Sequence, residues 1–156
     1  MKIFFDNNLS PHIAGAIREL SKTEPSVHGV IHLREKFPTN TPDIQWISSL
    51  QGKWVILSID RFTKNNDAER LALRHAGHTI FVLDRQWSKQ TFWHQAERLV
   101  RWWPQILGQA LMAEGGFRVP WQHSRKTKFQ TLRLQKKRLH RSQTDLAKRR
   151  QPRIVV

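Results

Sequence analysis

The chain has 156 residues, no cysteine and a formal net charge of +15. Without cysteine it forms no disulfide and no thiolate metal site, which fits a reducing compartment. It has no apolar run of the roughly 18 residues that a membrane span needs, and its acid at position 6 comes too early for a secretory leader, so the expected location is cytoplasmic.

The length suits one domain with an appendage. The charge divides the chain at residue 121. Residues 1–121 hold 15 basic and 11 acidic side chains, a net of +4. Residues 122–156 hold 12 basic and 1 acidic, a net of +11. A folded domain over 1–121 with a basic C-terminal tail over 122–156, helical or ordering on contact, is the expected organisation.

Residues 2–6 predict a buried first strand, Ile3-Phe4-Phe5 running into Asp6. Ser10-Pro11 supplies an N-cap and a proline at the first helical position, and Ile13, Ala14, Ile17 and Leu20 recur at helical spacing, so a helix is predicted over 11–21. Residues 27–33 predict a second strand and 34–41 a loop. Thr41-Pro42 opens a second helix with Ile44, Ile47 and Leu50 on one side, ended by Gly52. Residues 54–59 are almost wholly apolar and predict a central strand. Asn66 and Glu69 form a capping-box pair for a third helix that Gly77 stops. Residues 79–83 predict a fourth strand. A long helical stripe follows through Phe92, Ala96, Leu99, Trp103, Ile106 and Ala110, with Pro104 expected to kink or divide it. Gly115-Gly116 ends that stretch, and residues 117–121 read as a short fifth strand.

Strands alternating with helices imply an α/β fold with a mainly parallel sheet covered on both faces. In such sheets ligands gather beyond the carboxyl ends of the strands. Asp6 ends one strand, Asp60 follows another, and Asp43 starts a helix, so three segments can bring carboxylates to one cluster. Carboxylates that meet repel one another unless a cation lies between them, and an all-oxygen donor set favours Mg²⁺ or Mn²⁺. Ser58 stands two residues before Asp60, and Asn8 two after Asp6, to hold the loop or a water. Each has a plainer reading: Asp6 as a strand-end cap, Asp43 as an acid favoured by the helix dipole, Asn8 as a turn residue. Asp84 repeats the strand-end position more weakly.

The other chemistries find little support. The eight histidines make no metal set; His28 and His32 are four apart on a predicted strand, about 13 Å along it. There is no HExxH motif and no glycine-rich phosphate loop. The seven tryptophans read mainly as core. The tail residues Arg125, Lys126, Lys128, Arg133, Lys136, Lys137, Arg138 and Arg141 suit contacts to phosphates.

Two blocks carry a family resemblance. KIFFDNNLSP at the start resembles the opening of compact PIN-like domains. TPDIQWISSLQGKWVILSIDRF resembles their pattern of helix-borne acid, apolar helix, strand and then Ser/Thr-x-Asp. Residues 1–121 as a whole are similar to the small VapC-like toxins of bacterial toxin–antitoxin pairs. The resemblance implies a three-layer α/β/α sandwich and a metal-dependent ribonuclease. In it Asp6, Asp43 and Asp60 match the family acids and Ser58 the small hydroxyl residue. A further acid that larger PIN domains carry on an early helix has no counterpart here, Asn8 substituting in part. The basic tail lies outside the family pattern.

The expectation is a Mg²⁺- or Mn²⁺-dependent endoribonuclease, the toxin of a toxin–antitoxin pair. Its expected partners are RNA, a cognate antitoxin and a second copy of the chain, with no membrane. The alternatives are a non-catalytic nucleic-acid-binding PIN-like protein and a protein-interaction module with a basic tail.

Overall fold

In the computed structural model, which describes residues 1–59, 67–126 and 128–134, the two hydrophobic periods of the sequence become alternating strands and helices. In chain order these are β1 (Lys2–Phe5), α1 (Pro11–Ser21), β2 (Gly29–His32), α2 (Leu33–Lys36), α3 (Asp43–Ser49) and β3 (Trp54–Ile59). Then come α4 (Asp67–Ala76), β4 (Thr79–Leu83), a 3₁₀ turn (Arg85–Lys89), α5 (Phe92–Met112), β5 (Gly116–Val119) and β6 (Gln130–Leu132). The start of α1 is the one predicted: Ser10 accepts a hydrogen bond from the His12 amide, and Pro11 opens the helix.

The strands form one sheet in the order β2-β1-β3-β4-β5-β6, parallel except for β6. The fold is therefore α/β with a mostly parallel sheet. Apolar side chains alternate between its faces, because successive residues of a strand point opposite ways. Ile3, Phe5, Val55, Leu57, Phe81 and Leu83 meet Ile13 and Ile17 of α1 and Leu99, Trp102, Trp103 and Ile106 of α5. Phe4, Ile56, Ile80 and Val82 meet Trp46 and Ile47 of α3 and Leu73 of α4. Phe4 stacks on Trp46 with ring centroids 4.8 Å apart. The strands are buried on both faces, as parallel strands between helical layers must be.

Three elements differ from expectation. Residues 33–36 form α2, across the end of the predicted strand and the start of the predicted loop. A reciprocal cap explains it: the His32 ring accepts from the Arg34 amide, and the Glu35 carboxylate accepts from the His32 amide. A histidine in the capping-box role is hard to foresee, since that motif is usually read from Ser or Thr. The His32 ring also contacts the Leu9 carbonyl at 2.8 Å, so both ring nitrogens are occupied structurally. The second concerns α5, which runs from Phe92 to Met112 as one helix, so of the two expected effects of Pro104, a kink or a division, division does not occur. Val100, four residues earlier, and Pro104 both lie at exposed positions, where losing one helical hydrogen bond costs least.

The third is the sheet's extent, which runs past residue 121. β6 pairs antiparallel with β5, Gly116 opposite Leu132. A Cβ on Gly116 would come within 3.0 Å of the Leu132 Cβ, so glycine permits this close approach. Phe129 packs on Phe81 and Trp102. The proposed caps of α4, Asn66 and Glu69, lie outside the described side chains, as does the tail beyond residue 134 with Lys136, Lys137, Arg138 and Arg141. Among the described residues no helix is long and apolar enough to cross a membrane.

Candidate active site

Strand order sets the place of the site. β1 connects to β2 on one side, and the chain then crosses to β3 on the other, so the order reverses between β1 and β3. That is the topological switch point of a doubly wound sheet, where a crevice opens beyond the strand ends. Phe5 pairs with Leu57, so the next residues, Asp6 and Ser58, lie side by side across that crevice. Both have the parity of Phe4 and Ile56 and so face the α3 layer.

Asp6 is only 1% exposed. Its Oδ1 accepts from the Asn7 amide at 2.5 Å, and its Oδ2 from the Ser58 hydroxyl at 2.7 Å. Its own amide donates to the Leu57 carbonyl, continuing the β1–β3 ladder by one step. A buried carboxylate needs such donors, because desolvation without them costs several kcal/mol, on the order of 2–7 for a polar group and more for a charge. Ser58, also buried, is thereby an orienting partner of Asp6.

Asp43 is the first residue of α3, and its Oδ1 accepts from the Trp46 indole N–H at 3.0 Å. Asp6 and Asp43 line the same pocket of about 350 Å³, together with Asn7, Leu33, Thr39, Asn40, Thr41 and Pro42. The wall between them is the loop before α3. Asn7 ties this loop to the β1 exit: its side-chain amide donates to the Thr39 carbonyl at 3.3 Å and accepts from Arg34 Nε at 2.9 Å. Thr41 closes the turn by donating twice to the Pro38 carbonyl.

Asn8 is occupied differently from a ligand. Its Nδ2 donates to the Ile59 carbonyl at 2.7 Å, and its Oδ1 accepts from the Ile59 amide at 3.2 Å. The side chain thus imitates a neighbouring strand and holds the end of β3 immediately before residue 60. Asp60 itself lies outside the described residues. Asp84, at the exit of β4, caps the 3₁₀ turn through Gln86 and accepts from the Trp121 amide, which is a structural role.

Behind the pocket, Arg18 donates to both oxygens of Glu35 and to the Val30 carbonyl, tying α1 to β2 and α2. Burial pushes the Glu35 carboxyl up, but the His32 amide and Arg18 outweigh it and hold the pKa below the ordinary 4.5. Asn7, Asn40 and Thr39 are the site residues that motif reading passed over. Their only signal is polarity: an asparagine directly after Asp6, and the run Thr39-Asn40-Thr41 shortly before Asp43.

A family model described as a PIN-like domain matches residues 1–85. The chain belongs to the PIN-like domain family. The match takes in β1 to β4, with Asp6, Asp43 and Ser58, and ends before α5. No curated protein and no solved structure matches the chain. PIN domains are in general metal-dependent nucleases, and this PIN-like domain has donors of the matching type: two carboxylates on one pocket, with hard oxygen atoms throughout. No group of three His, Asp or Glu side chains gathers among the described residues, so the pocket contributes two of the three acids expected.

Proposed function

We propose that this PIN-like domain is a Mg²⁺- or Mn²⁺-dependent endoribonuclease and the toxin of a toxin–antitoxin pair. The observation that carries the reading is the shared pocket of Asp6 and Asp43 beyond the carboxyl end of β1, in a chain of a nuclease family. Asp6, Asp43 and Asp60 would hold the cation. A divalent cation bound there lowers the pKa of a water and offsets charge on the leaving oxygen.

The chain's own residues do the positioning. Ser58 holds one Asp6 oxygen by donating to it, and the Asn7 amide holds the other, so the carboxylate cannot rotate away from the pocket. Asn8 straps the Ile59 backbone and thereby constrains where residue 60 begins. In the polar wall the Asn40 amide and the second Nδ2 hydrogen of Asn7 suit phosphate and sugar oxygens, while the Thr41 hydroxyl, which donates to Pro38, serves there only as an acceptor. The excess of basic side chains after residue 121 supplies attraction to the RNA backbone without sequence preference.

The test is RNA cleavage by the full chain with Mg²⁺, with Mn²⁺ and with a chelator. Cleavage should need the cation and vanish in Asp6→Asn and in Asp43→Asn while the far-ultraviolet spectrum is kept. RNA binding with no cleavage under any cation would sink the enzyme and leave a non-catalytic RNA-binding PIN-like protein. The toxin role is tested by expressing the chain alone and with the product of the adjacent reading frame, which should bind it and restore growth.

A further inference from the structure

A second pocket lies on the α5 layer, across the sheet from the Asp6–Asp43 pocket. It measures about 570 Å³ and is lined by Arg101, Pro104, Gln105, His123 and Arg125. Its charged lining is wholly cationic or titratable. Among the described residues the acid beside it is Glu97, which meets Arg101 only at 3.4 Å with both side chains more than half exposed. Such a contact is worth little and leaves the guanidinium available.

The lining is built rather than incidental. Gln105 donates to the Ser124 carbonyl at 3.0 Å and pairs through its Oε1 with His123 Nε2 at 2.7 Å, so one side chain of α5 orders the segment that follows β5. The His123 ring stands edge-on to buried Trp102 at 4.7 Å. Arg98 is committed elsewhere: it donates to the Trp121 carbonyl and covers the Trp121 ring at 4.4 Å. That leaves Arg101 and Arg125 as the guanidinium groups of the lining, sharing the pocket with the fixed His123 imidazole and the Pro104 ring. Burial, and then Arg101, Arg98 and Arg125, hold the His123 pKa below the ordinary 6.5. The positive field of three arginines therefore converges on this ring. Exposed Lys126 and Lys128 continue the basic surface toward the C-terminus.

Planar guanidinium groups match phosphate oxygens two at a time, which favours phosphate over a point anion. We propose that the Arg101–Gln105–His123–Arg125 pocket binds a backbone phosphate of a single-stranded polynucleotide, a second contact site remote from the carboxylates. The assignment rests on the reading of this chain as an RNA-acting protein.

The experiment follows the His123 imidazole signals by nuclear magnetic resonance in the full chain carrying Asp6→Asn, so that RNA stays intact. The probes are inorganic phosphate, a single-stranded RNA oligonucleotide and polyglutamate. His123 should respond to RNA and, at higher concentration, to phosphate, with its pKa rising because bound phosphate offsets the arginines. The double variant Arg101→Gln/Arg125→Gln should lose that response. Its slope of log affinity against log salt should be shallower by about 0.7, the value for the one phosphate no longer neutralised. Melting temperature checks that the variant folds. No His123 response to RNA overturns the proposal, as does a response to phosphate alone, an equal response to polyglutamate, or an unchanged salt slope. A His123 response in a wild-type chain that never cuts RNA would leave the pocket standing and sink the nuclease. Cleavage with no His123 response would sink only the pocket.

Discussion

Ser58 and Asn8 join β1 to β3 by side chains at the point where the backbone ladder runs out. Ser58→Ala removes the hydroxyl that donates to Asp6 Oδ2. A hydrogen bond to a charged acceptor contributes about 1.5–3 kcal/mol, so denaturant unfolding should show a loss of about 2 kcal/mol. Cleavage should fall as well, because the carboxylate gains freedom to turn. Asn8 separates strap from ligand. Asn8→Asp keeps an acceptor for the Ile59 amide but sets a carboxylate oxygen against the Ile59 carbonyl in place of the amide donor. Stability and cleavage should both drop. If Asn8→Asp cleaved at the wild-type rate, the side chain would be acting as a ligand and the strap would be irrelevant. Legibility at this scale was partial. Asp6, Ser58 and Asn8 stood out as candidates by position in the sequence. Their actual bonds did not, because side-chain partners 51 and 52 residues apart leave no local pattern.

At the scale of elements, caps and joints decide what holds. α3 ends against β3 through His78, whose Nδ1 accepts from the Trp54 amide while its other ring nitrogen meets the Ile47 carbonyl at 3.2 Å. Burial holds the His78 pKa below the ordinary 6.5, and the bond to Ile47 only partly opposes that. The unfolded chain thus binds this proton more readily than the folded one. The contribution of His78 to stability is complete above about pH 6.5 and is lost as pH falls through the lower folded value. Urea midpoints should therefore drop between pH 7.5 and pH 5, and by less in His78→Asn, whose midpoint starts lower. An equal drop in both proteins would place the acid sensitivity on other groups. The helix α1 was legible down to its cap because Ser10-Pro11 is a strong local signal, and Ser10→Ala should cost about 1 kcal/mol. The helix α2 was not, since its cap is a histidine that also belongs to the end of β2.

For the whole molecule, the sheet extends to β6, and this changes how the basic C-terminal segment should be tested. Removing residues 122–156 takes away β6 and Phe129, whose ring lies 5.6 Å from Phe81 and 5.2 Å from Trp102. Melting temperature should fall, because Phe129 is partly buried against the core and fully burying a Phe side chain contributes about 1.5–3 kcal/mol, an upper bound for this ring, before any strand pairing is counted. Removing only residues 135–156 deletes eight basic side chains and one acidic one while keeping β6. That shorter cut should cost less melting temperature and make the salt slope of RNA binding shallower, by about 0.7 for each phosphate that the deleted side chains had neutralised. Equal slopes for the shorter cut and the full chain would mean that these eight charges serve something other than RNA. Apolar alternation and cap signals in the sequence determined that strands and helices would alternate, hence a parallel sheet whose strand-end acids share one edge. Only the tertiary structure decided that β1 and β3 are neighbours in the register Phe5–Leu57, that Asp43 reaches the Asp6 pocket through the loop that Asn7 anchors, and that β6 closes the sheet. The physical reason is range: periodicity and capping act over a few residues and are written in adjacent letters, whereas the partner of a strand is chosen by packing among segments tens of residues apart, where many sequences bury equally well.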